Sequence, residues 1–300
     1  MPVDLERRSP CKVNLLLNVL GKRPDGFHEL ETVLQPVAVF DSLHFTRTAE
    51  GVALTCSEPA LPTDAANLVH RAATAFLTTA GVPGGVRIHL EKRIPLAAGL
   101  GGCSGNAATT LLALNELFDS PLSPAALTEL AAGLGSDVPF FLQTGPALAT
   151  SRGERIQPLR PFPALRGVWL VLVHPGFGIA TAWAYQNLAR FPQALNGPPG
   201  RAARLIGALA SGERPAAGLQ LYNALEAPAL AKYPVLALYQ EFFRQEGALA
   251  ALMSGSGSTT FALAADEGAA RLMRERFLAR FGGQGWSAVV PLEGGEAARS

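Results

Sequence analysis

Four glycines fall within the seven residues 99–105 (Gly-Leu-Gly-Gly-Cys-Ser-Gly), and this loop could bind a phosphate group. Glycines let the backbone approach an anion closely, and the free amides at the start of a helix point toward it. The flanking residues fit that arrangement, because a strand-like run at 86–94 precedes the loop and a helix-like run at 106–118 follows it. The phosphate most often bound in this way belongs to a nucleotide. The loop therefore predicts a nucleotide site.

Two well-known nucleotide motifs do not match this loop. The P-loop needs a lysine directly after its last glycine, where this chain has Asn106, and the motif GxGxxG needs a third glycine where Ser104 stands. The Ser104 hydroxyl could contact a phosphate or a bound magnesium ion, whereas Asn106 could instead cap the following helix. A tight turn without a ligand is the alternative interpretation of the whole loop.

A second candidate surface lies on the strand-like run at 10–20. By the two-residue period of a strand, Lys12, Asn14 and Asn18 share one face, while apolar side chains fill the other. A cation on such a face is unusual for a strand this rich in leucine, although a solvated edge lysine would also explain it. The pattern predicts that Lys12 and Asn14 are presented together.

The rest of the chain supplies the elements that must position these residues. Strand patterns lie at 32–46, 167–173, 248–253, 259–264 and 286–291, and helix patterns at 64–79, 123–133, 201–211, 234–246 and 266–281. Residues 192–200 are predicted to be a loop rich in proline and glycine. Since strands and helices alternate, the fold class is α/β or α+β. Three prolines within 158–163 interrupt regular structure, and we place a domain boundary there.

Composition limits the kind of protein that this can be. With 48% apolar and 16% charged residues, the chain is globular and has a large core. A net charge of +1 gives no field that would attract nucleic acid or an anionic membrane, so we predict neither partner. The cysteines lack metal-ligand spacing, the first residues lack the apolar segment of a signal peptide, and no apolar run reaches the roughly 20 residues that span a bilayer. We therefore expect a reduced, cytoplasmic protein.

Four segments together resemble the GHMP kinases, the superfamily named for galactokinase, homoserine kinase, mevalonate kinase and phosphomevalonate kinase. Residues 95–108 resemble its phosphate-binding motif, and residues 253–258 (Met-Ser-Gly-Ser-Gly-Ser) resemble its third motif. Residues 12–30 and 134–141 narrow the resemblance to the 4-diphosphocytidyl-2-C-methyl-D-erythritol kinase family, since the other branches do not share the first of them. The order and spacing of the segments agree with that family from about residue 9 to about residue 290.

The resemblance implies an α+β fold of two domains, residues 1–160 and 161–300, with the active site in the cleft between them. It implies ATP and Mg²⁺ as cofactors, a small-molecule substrate, and phosphorylation of the 2-hydroxyl of a cytidine-diphosphate-linked methylerythritol in the non-mevalonate route to isoprenoid precursors. Magnesium would bridge phosphate oxygens, so we predict no metal-ligating residues. The oligomeric state stays open.

Two other functions are less favoured. A sister kinase acting on mevalonate or homoserine is one, but the segment Asp25–His28 argues against it because those substrates carry no cytosine. A nucleotide-binding module without catalysis is the other, and the presence of both Lys12 and Asp137 argues against it.

The resemblance assigns catalysis to Asp137 and Lys12. Asp137 matches the catalytic aspartate of the family and would take the proton from the acceptor hydroxyl as general base. From the local sequence alone, Asp137 is better explained as the cap of a short helix with Pro139 in its first turn. Lys12 matches the catalytic lysine and would steady the negative charge that develops on the acceptor oxygen.

For the nucleotide, the resemblance implies that loop amides and the following helix start hold the β- and γ-phosphates. Adenine would lie near Asn67, Leu68 and Lys92, although Asn67 and Lys92 could equally be ordinary surface residues. The predicted ATP-binding set is Asn67, Leu68, Lys92, Pro95, Leu96, Ala97, Ala98, Gly99, Leu100, Gly101, Gly102, Cys103, Ser104 and Gly105.

For the acceptor, Phe27 offers an aromatic plane to cytosine and His28 offers ring nitrogens to its polar edge. Tyr185 matches a position that stacks on the other face of the base in the family, although a half-buried helix residue explains it nearly as well. Gly255 and Gly257 would pack the third motif against the phosphate loop, unless they only form a tight turn. The predicted acceptor set is Asn14, Phe27, His28, Thr181, Tyr185, Gly255 and Gly257, with Pro175 and Gly176 beside it.

The chain departs from the family pattern at three positions. Phe27 replaces the usual tyrosine, which keeps stacking but removes one polar contact. Cys103 replaces a usual glycine, and its side chain is expected to point away from the phosphate. Gly105 replaces a usual serine or alanine, which shifts more of the polar contact onto Ser104.

Overall fold

The computed structural model describes residues 4–292, except for the side chain of residue 215. In chain order the strands are β1 Asp4–Lys22, β2 His28–Thr48, β3 Val52–Cys56, β4 Gly85–Glu91, β5 Ala147–Ser151, β6 Arg155–Pro158, β7 Trp169–His174, β8 Tyr222–Asn223, β9 Ala250–Met253, β10 Thr260–Ala264 and β11 Trp286–Pro291. The helices are α1 Leu68–Ala80, α2 Gly102–Leu117, α3 Pro124–Leu134, α4 Thr181–Leu188, α5 Pro192–Leu195, α6 Arg201–Ser211, α7 Arg214–Gly218, α8 Glu226–Lys232, α9 Val235–Gln245 and α10 Glu267–Phe281. Short 3₁₀ turns lie at Pro139–Leu142 and Pro163–Leu165.

The strands of the described chain form two sheets. The larger has the order β3-β4-β2-β1-β8, with β5 and β6 joined to β2, and the smaller has the order β11-β7-β10-β9. β1 and β2 form a long antiparallel hairpin, and β8 pairs with β1 in parallel at Leu16–Tyr222 and Leu17–Asn223. The chain therefore passes from the larger sheet to the smaller one between β6 and β7, and it returns to the larger sheet once, for β8. The boundary between residues 160 and 161 stays a prediction.

The core explains why β7 is an uninterrupted apolar run. Leu170 and Leu172 pack into a cluster shared with β1, whereas Val171 and Val173 pack into a cluster with Phe243 of α9. Because successive side chains of a strand point to opposite faces, both faces of β7 are buried over residues 170–173, and each of these positions is apolar. A third cluster lies between the larger sheet and helices α1, α2 and α3.

Most elements lie where the sequence predicts them, but some differ from the prediction. The predicted start of α3 is confirmed, since Ser123 accepts a hydrogen bond from the Ala126 amide and Pro124 opens the helix. Helix α2 begins at Gly102 rather than at residue 106. The predicted loop at 192–200 contains the short helix α5. The sequence patterns did not indicate β3, β5, β6, β8, α7 or α8.

A bulge in β1 corrects the predicted polar face. The pairing of β1 with β2 shifts register between Asn14 and Leu16, which moves later side chains to the opposite face. Lys12 and Asn14 stay together, but Leu17 rather than Asn18 lines the large cleft described below. The Asn18 amide instead donates to Glu31 Oε1 and to the carbonyl oxygen of Pro198, both at 2.9 Å.

None of the helices within residues 4–292 has both the length and the apolar character needed to cross a membrane. Cys11, Cys56 and Cys103 are free thiols.

Candidate active site

A cleft of about 800 Å³ gathers most of the predicted site residues. It lies where the polar face of β1, the glycine loop, the turn before Pro139 and the start of α4 meet. The predicted residues that line it are Lys12, Asn14, Phe27, His28, Pro95, Ala97, Ala98, Gly99, Leu100, Gly101, Gly102, Cys103, Ser104, Asp137, Thr181, Tyr185 and Gly255. Those that do not line it are Asn67, Leu68, Lys92, Leu96, Gly105 and Gly257, and neither do Pro175 and Gly176.

The glycine loop ends in a helix start that faces the cleft. Gly101 is the N-cap residue of α2 in a left-handed conformation (φ +68°), and the helix begins without a side-chain cap. The first amides of a helix have no partner within the helix, so they are available to an anion in the cleft. Asn106 lies one turn inside α2, which shows that its interpretation as the helix cap is wrong.

Gly99 and Gly255 let two loops interlock. A Cβ at Gly99 (φ +75°) would lie 2.0 Å from the carbonyl oxygen of Ser254, and a Cβ at Gly255 would lie 2.9 Å from the carbonyl oxygen of Gly99. The Ser254 hydroxyl donates to that same Gly99 oxygen at 2.9 Å. The third motif is therefore packed directly on the phosphate loop, as the sequence predicts for Gly255.

Replacing Gly99 with alanine should damage this contact and weaken ATP binding. The new methyl group would meet backbone rather than a movable side chain, and alanine is strained at a positive φ, so we expect a loss of about 1–3 kcal/mol in stability. We also expect a raised KM for ATP. Thermal unfolding and steady-state kinetics measure both, with Gly133→Ala as control because a Cβ there meets nothing within 4 Å. A fully stable, fully active Gly99→Ala protein would contradict the interlock.

Gly105 and Gly257 have structural rather than ligand contacts. A Cβ at Gly105 would lie 2.5 Å from the carbonyl oxygen of Pro10, so this glycine lets α2 approach β1. Its predicted place among the phosphate ligands is thus corrected. A Cβ at Gly257 would lie 2.6 Å from Met253 Sδ, away from the cleft.

Cys103 forms part of the cleft wall. Burial raises the pKa of its thiol, which keeps the thiol protonated.

Lys12 and Asp137 lie together beside the loop. Lys12 is 3% exposed, and its ammonium donates to Asn14 Oδ1 at 2.6 Å and to the carbonyl oxygen of Gly99 at 3.0 Å. Its Nζ lies 3.6 Å from Asp137 Oδ2. A solvated edge lysine is therefore excluded. A buried cation and a carboxylate next to an anion-binding loop can activate and stabilise a reacting hydroxyl.

Asp137 does not act as a helix cap. The 3₁₀ turn Pro139–Leu142 has Val138 as its N-cap residue, and no side chain caps it. The Asp137 side chain is 40% exposed and lines the cleft, so its carboxylate can meet a substrate.

The aromatic end of the cleft contains three rings. His28 and Tyr185 stack with centroids 5.0 Å apart and an interplanar angle of 27°. Phe27 is 50% exposed, and the Arg152 guanidinium lies 4.8 Å from its ring centroid. Burial, helped by the nearby Lys22 charge, lowers the pKa of His28, so at neutral pH one ring nitrogen donates and the other accepts. Burial also raises the pKa of Tyr185.

Sequence reasoning missed several residues at this site. Arg152 lines the cleft in a turn that carries no recognisable motif, and Ser136 lines it beside Asp137 within the segment 134–141. Asn223, which is buried, donates 2.8 Å hydrogen bonds to the carbonyl oxygens of Met253 and Gly255 and so fixes the third motif. Glu226 accepts a 2.8 Å bond from the Met253 amide, and burial raises its pKa. No sequence pattern signalled either Asn223 or Glu226 as an anchor.

Of the residues predicted near adenine, Asn67 and Lys92 have buried side chains that already have protein partners, and Leu68 is partly buried. Asn67 caps α1 by accepting from the Val69 amide at 2.9 Å, and it donates to the carbonyl oxygen of Pro62 at 2.8 Å. Lys92 forms a buried ion pair with Asp41. They are therefore not ordinary surface residues, and the placement of adenine beside them stays a prediction.

Comparisons with known proteins agree with this architecture. A family model described as the N-terminal domain of GHMP kinases matches residues 67–145, and one for the C-terminal domain of GHMP kinases matches residues 201–283. The 4-diphosphocytidyl-2-C-methyl-D-erythritol kinase of Pelotomaculum thermopropionicum is 45% identical over 268 residues, which cover 89% of this chain and 91% of that protein. The protein of the same name from Moorella thermoacetica is 42% identical to this chain, and the match covers 88% of this chain and 92% of that protein.

Solved structures give the same result. A crystal structure of 4-(cytidine 5'-diphospho)-2C-methyl-D-erythritol kinase matches with a TM-score of 0.79 and 40% identity, over 96% of this chain and 99% of that one. The homoserine kinase of Cytophaga hutchinsonii matches with a TM-score of 0.73 and 22% identity, over 95% and 93% of the two chains. The match to the homoserine kinase shows a shared fold and nothing more.

Proposed function

This chain belongs to the 4-diphosphocytidyl-2-C-methyl-D-erythritol kinase family of the GHMP kinases, and we propose that it performs that reaction. It would transfer the terminal phosphoryl group of ATP to the 2-hydroxyl of 4-diphosphocytidyl-2-C-methyl-D-erythritol, giving the 2-phosphate and ADP in the non-mevalonate isoprenoid pathway. The observation that carries the proposal is the Lys12–Asp137 pair, 3.6 Å apart, beside the open start of α2.

The donor phosphates would lie at the start of α2. Gly99, Gly101 and Gly102 line the cleft there, and the first amides of α2 are free to donate to phosphate oxygens. Within residues 4–292, no group of three or more histidine, cysteine, aspartate or glutamate side chains could hold a metal ion. The Ser104 hydroxyl is an oxygen ligand of the kind that Mg²⁺ takes, and Mg²⁺ bound with the triphosphate would neutralise charge.

The acceptor hydroxyl would lie between the cradle and the catalytic pair. Asp137 accepts its proton as the new oxygen–phosphorus bond forms, and the breaking bond leaves its electron pair on the β-phosphate oxygen of ADP. Lys12 stabilises the acceptor oxygen as its proton leaves, because its ammonium is already fixed by Asn14 and Gly99 and needs no reorganisation. Asn14 and Thr181, which line the same cleft, would bind the polyol.

The cytidine half would lie at the aromatic end of the cleft. Phe27 and Tyr185 supply ring faces, and neutral His28 supplies one donor and one acceptor for the polar edge of cytosine. We also propose a cytoplasmic location, since ATP is the donor and the cysteines are free thiols.

Replacing His28 with alanine should raise the KM for the cytidine substrate by about tenfold to a hundredfold and leave ATP binding unchanged. For the wild-type protein, the lowered pKa means that His28 stays neutral below its ordinary pKa of 6.5. The KM for this substrate should therefore be flat from pH 8 to pH 6.5 and rise only at lower pH. Initial rates across pH test this, with His70→Ala on α1 as control. If His28→Ala changed the Kd for ATP but left the KM for the cytidine substrate unchanged, the assignment of His28 to the cytidine pocket would be refuted.

Substrate choice tests the proposed function directly. Wild-type protein with ATP and Mg²⁺ should release ADP with 4-diphosphocytidyl-2-C-methyl-D-erythritol and should show no comparable turnover with mevalonate or homoserine. Turnover with either of those instead would support a sister kinase, and nucleotide binding without any turnover would support a non-catalytic module.

A further inference from the structure

Asp41 is the most heavily hydrogen-bonded carboxylate near the phosphate loop, and the mechanism above does not use it. Its side chain, on β2, is 0% exposed. One carboxylate oxygen, Oδ1, accepts from the amides of Arg93 at 2.7 Å and Ile94 at 2.9 Å. The other, Oδ2, accepts from the Lys92 ammonium and from the Asn106 amide group, the latter at 2.9 Å.

These four donors lie at both ends of the phosphate loop. Arg93 and Ile94 immediately precede Pro95, where the loop begins, and Asn106 lies one turn inside α2, where the loop has ended. A single carboxylate thus ties the entry of the loop to its exit. Because Asp41 is fully buried, it can influence a ligand only through these partners.

The lysine of this cluster lies directly beneath the anion site. A Cβ at Gly102, the first residue of α2, would be 3.4 Å from Lys92 Nζ and 2.9 Å from Ile94 Cγ2. Lys92 also donates to Asn106 Oδ1 at 3.3 Å. Asp41 therefore fixes both a positive charge under the helix start and the direction in which the first amides of α2 point.

We infer that Asp41 is a positioning residue for the donor triphosphate, holding Lys92 and the two ends of the phosphate loop in the geometry that binds it. The inference rests on the proposed function only in naming ATP as the donor. It predicts a selective effect, because the hydrogen-bond partners of Asp41 are Lys92, Arg93, Ile94 and Asn106 and include none of the acceptor residues Phe27, His28 and Tyr185.

Asp41→Asn tests the inference, since asparagine keeps the size of the side chain but brings an amide group toward Lys92 and Asn106. We expect the Kd for ATP with Mg²⁺, measured by calorimetry without acceptor, to rise by about tenfold to a hundredfold. The KM for ATP should rise in parallel, while the KM for the cytidine substrate should change by less than about twofold. Asn106→Ala, a milder variant that frees only the exit of the loop, should raise the Kd for ATP by a smaller factor.

A merely structural role would give a different result. Asn115→Ala is the matched control, because Asn115 lies on the same helix and exchanges two hydrogen bonds with the backbone of Leu122, far from the loop. It should lower the melting temperature without changing the Kd for ATP. An unchanged Kd for ATP in Asp41→Asn, or in Asn106→Ala if the first variant does not fold, would overturn the inference. Equal losses for both substrates would also overturn it. Since ATP binding is measured without acceptor, a wild-type protein inactive on the cytidine substrate would refute the proposed function separately.

Discussion

Asp137→Asn should lower kcat by roughly 10²- to 10⁴-fold while leaving the Kd for ATP within about twofold of the wild-type value. Asparagine has nearly the same shape and can still approach Lys12, but it cannot accept a proton at neutral pH. The carboxylate lies 3.6 Å from Lys12 Nζ and, in the proposed mechanism, meets the acceptor hydroxyl rather than the nucleotide. The loss should therefore fall on the chemical step.

Rapid-quench single-turnover kinetics with both substrates bound would measure that step, and calorimetry would measure ATP affinity. Asp266→Asn is a suitable control, because Asp266 caps α10 outside the cleft and asparagine is an equally good cap. The control should keep wild-type kcat. Turnover by Asp137→Asn within a few-fold of wild type would remove this residue from proton transfer.

The sequence predicted that Lys12, Asn14 and the glycine loop each present their residues together, because the relevant signals are local. Lys12 and Asn14 are two residues apart on one strand, and the glycine loop has its strand before it and its helix after it. Periodicity and glycine spacing detect such patterns directly. What local patterns could not predict was the role of Asp137, since an aspartate before a proline resembles a helix cap. Only the resemblance to a family favoured the catalytic interpretation.

The predictions that were wrong or missing concern interactions between distant parts of the chain. Asn18 was placed on the wrong face because a bulge between Asn14 and Leu16 depends on the pairing of β1 with β2, which the period of one strand does not reveal. Asp41 and Asn223 went unnoticed because their partners lie about 50–65 and about 30 residues away along the chain. Buried polar residues that anchor loops have no sequence spacing of their own, so only the fold reveals them.

The interlock of the two glycine loops connects these anchors to catalysis. Asn223 holds the carbonyl oxygens of Met253 and Gly255, and Ser254 in turn binds the Gly99 carbonyl oxygen that also receives the Lys12 ammonium. The position of Lys12 therefore depends on both loops at once. A change at either loop should reach the catalytic lysine through a single shared carbonyl oxygen.

Lys12→Met should lower kcat/KM by roughly 10²- to 10³-fold, the size of effect expected when one preorganised charge is removed from a transition state. Methionine keeps the length and apolar stem of lysine but leaves Asn14 Oδ1 without its ammonium donor and the Gly99 carbonyl oxygen with the Ser254 hydroxyl alone. We therefore also expect a loss of about 1–3 kcal/mol in stability. Activity and thermal unfolding measured on the same protein separate the two effects, with Lys232→Met outside the cleft as control.

Lys12→Arg should lose activity as Lys12→Met does. This result would distinguish a positioned ammonium from a general positive charge. A Cβ at Gly255 would lie 3.2 Å from Lys12 Nζ and one at Gly101 would lie 3.0 Å from Lys12 Cε, so the backbone closely surrounds the end of the side chain. The broad planar guanidinium has no room there and would be pushed toward Asp137. Wild-type turnover by Lys12→Arg would show that charge alone suffices, whereas loss in both variants supports an ammonium held at one point by Asn14 and Gly99.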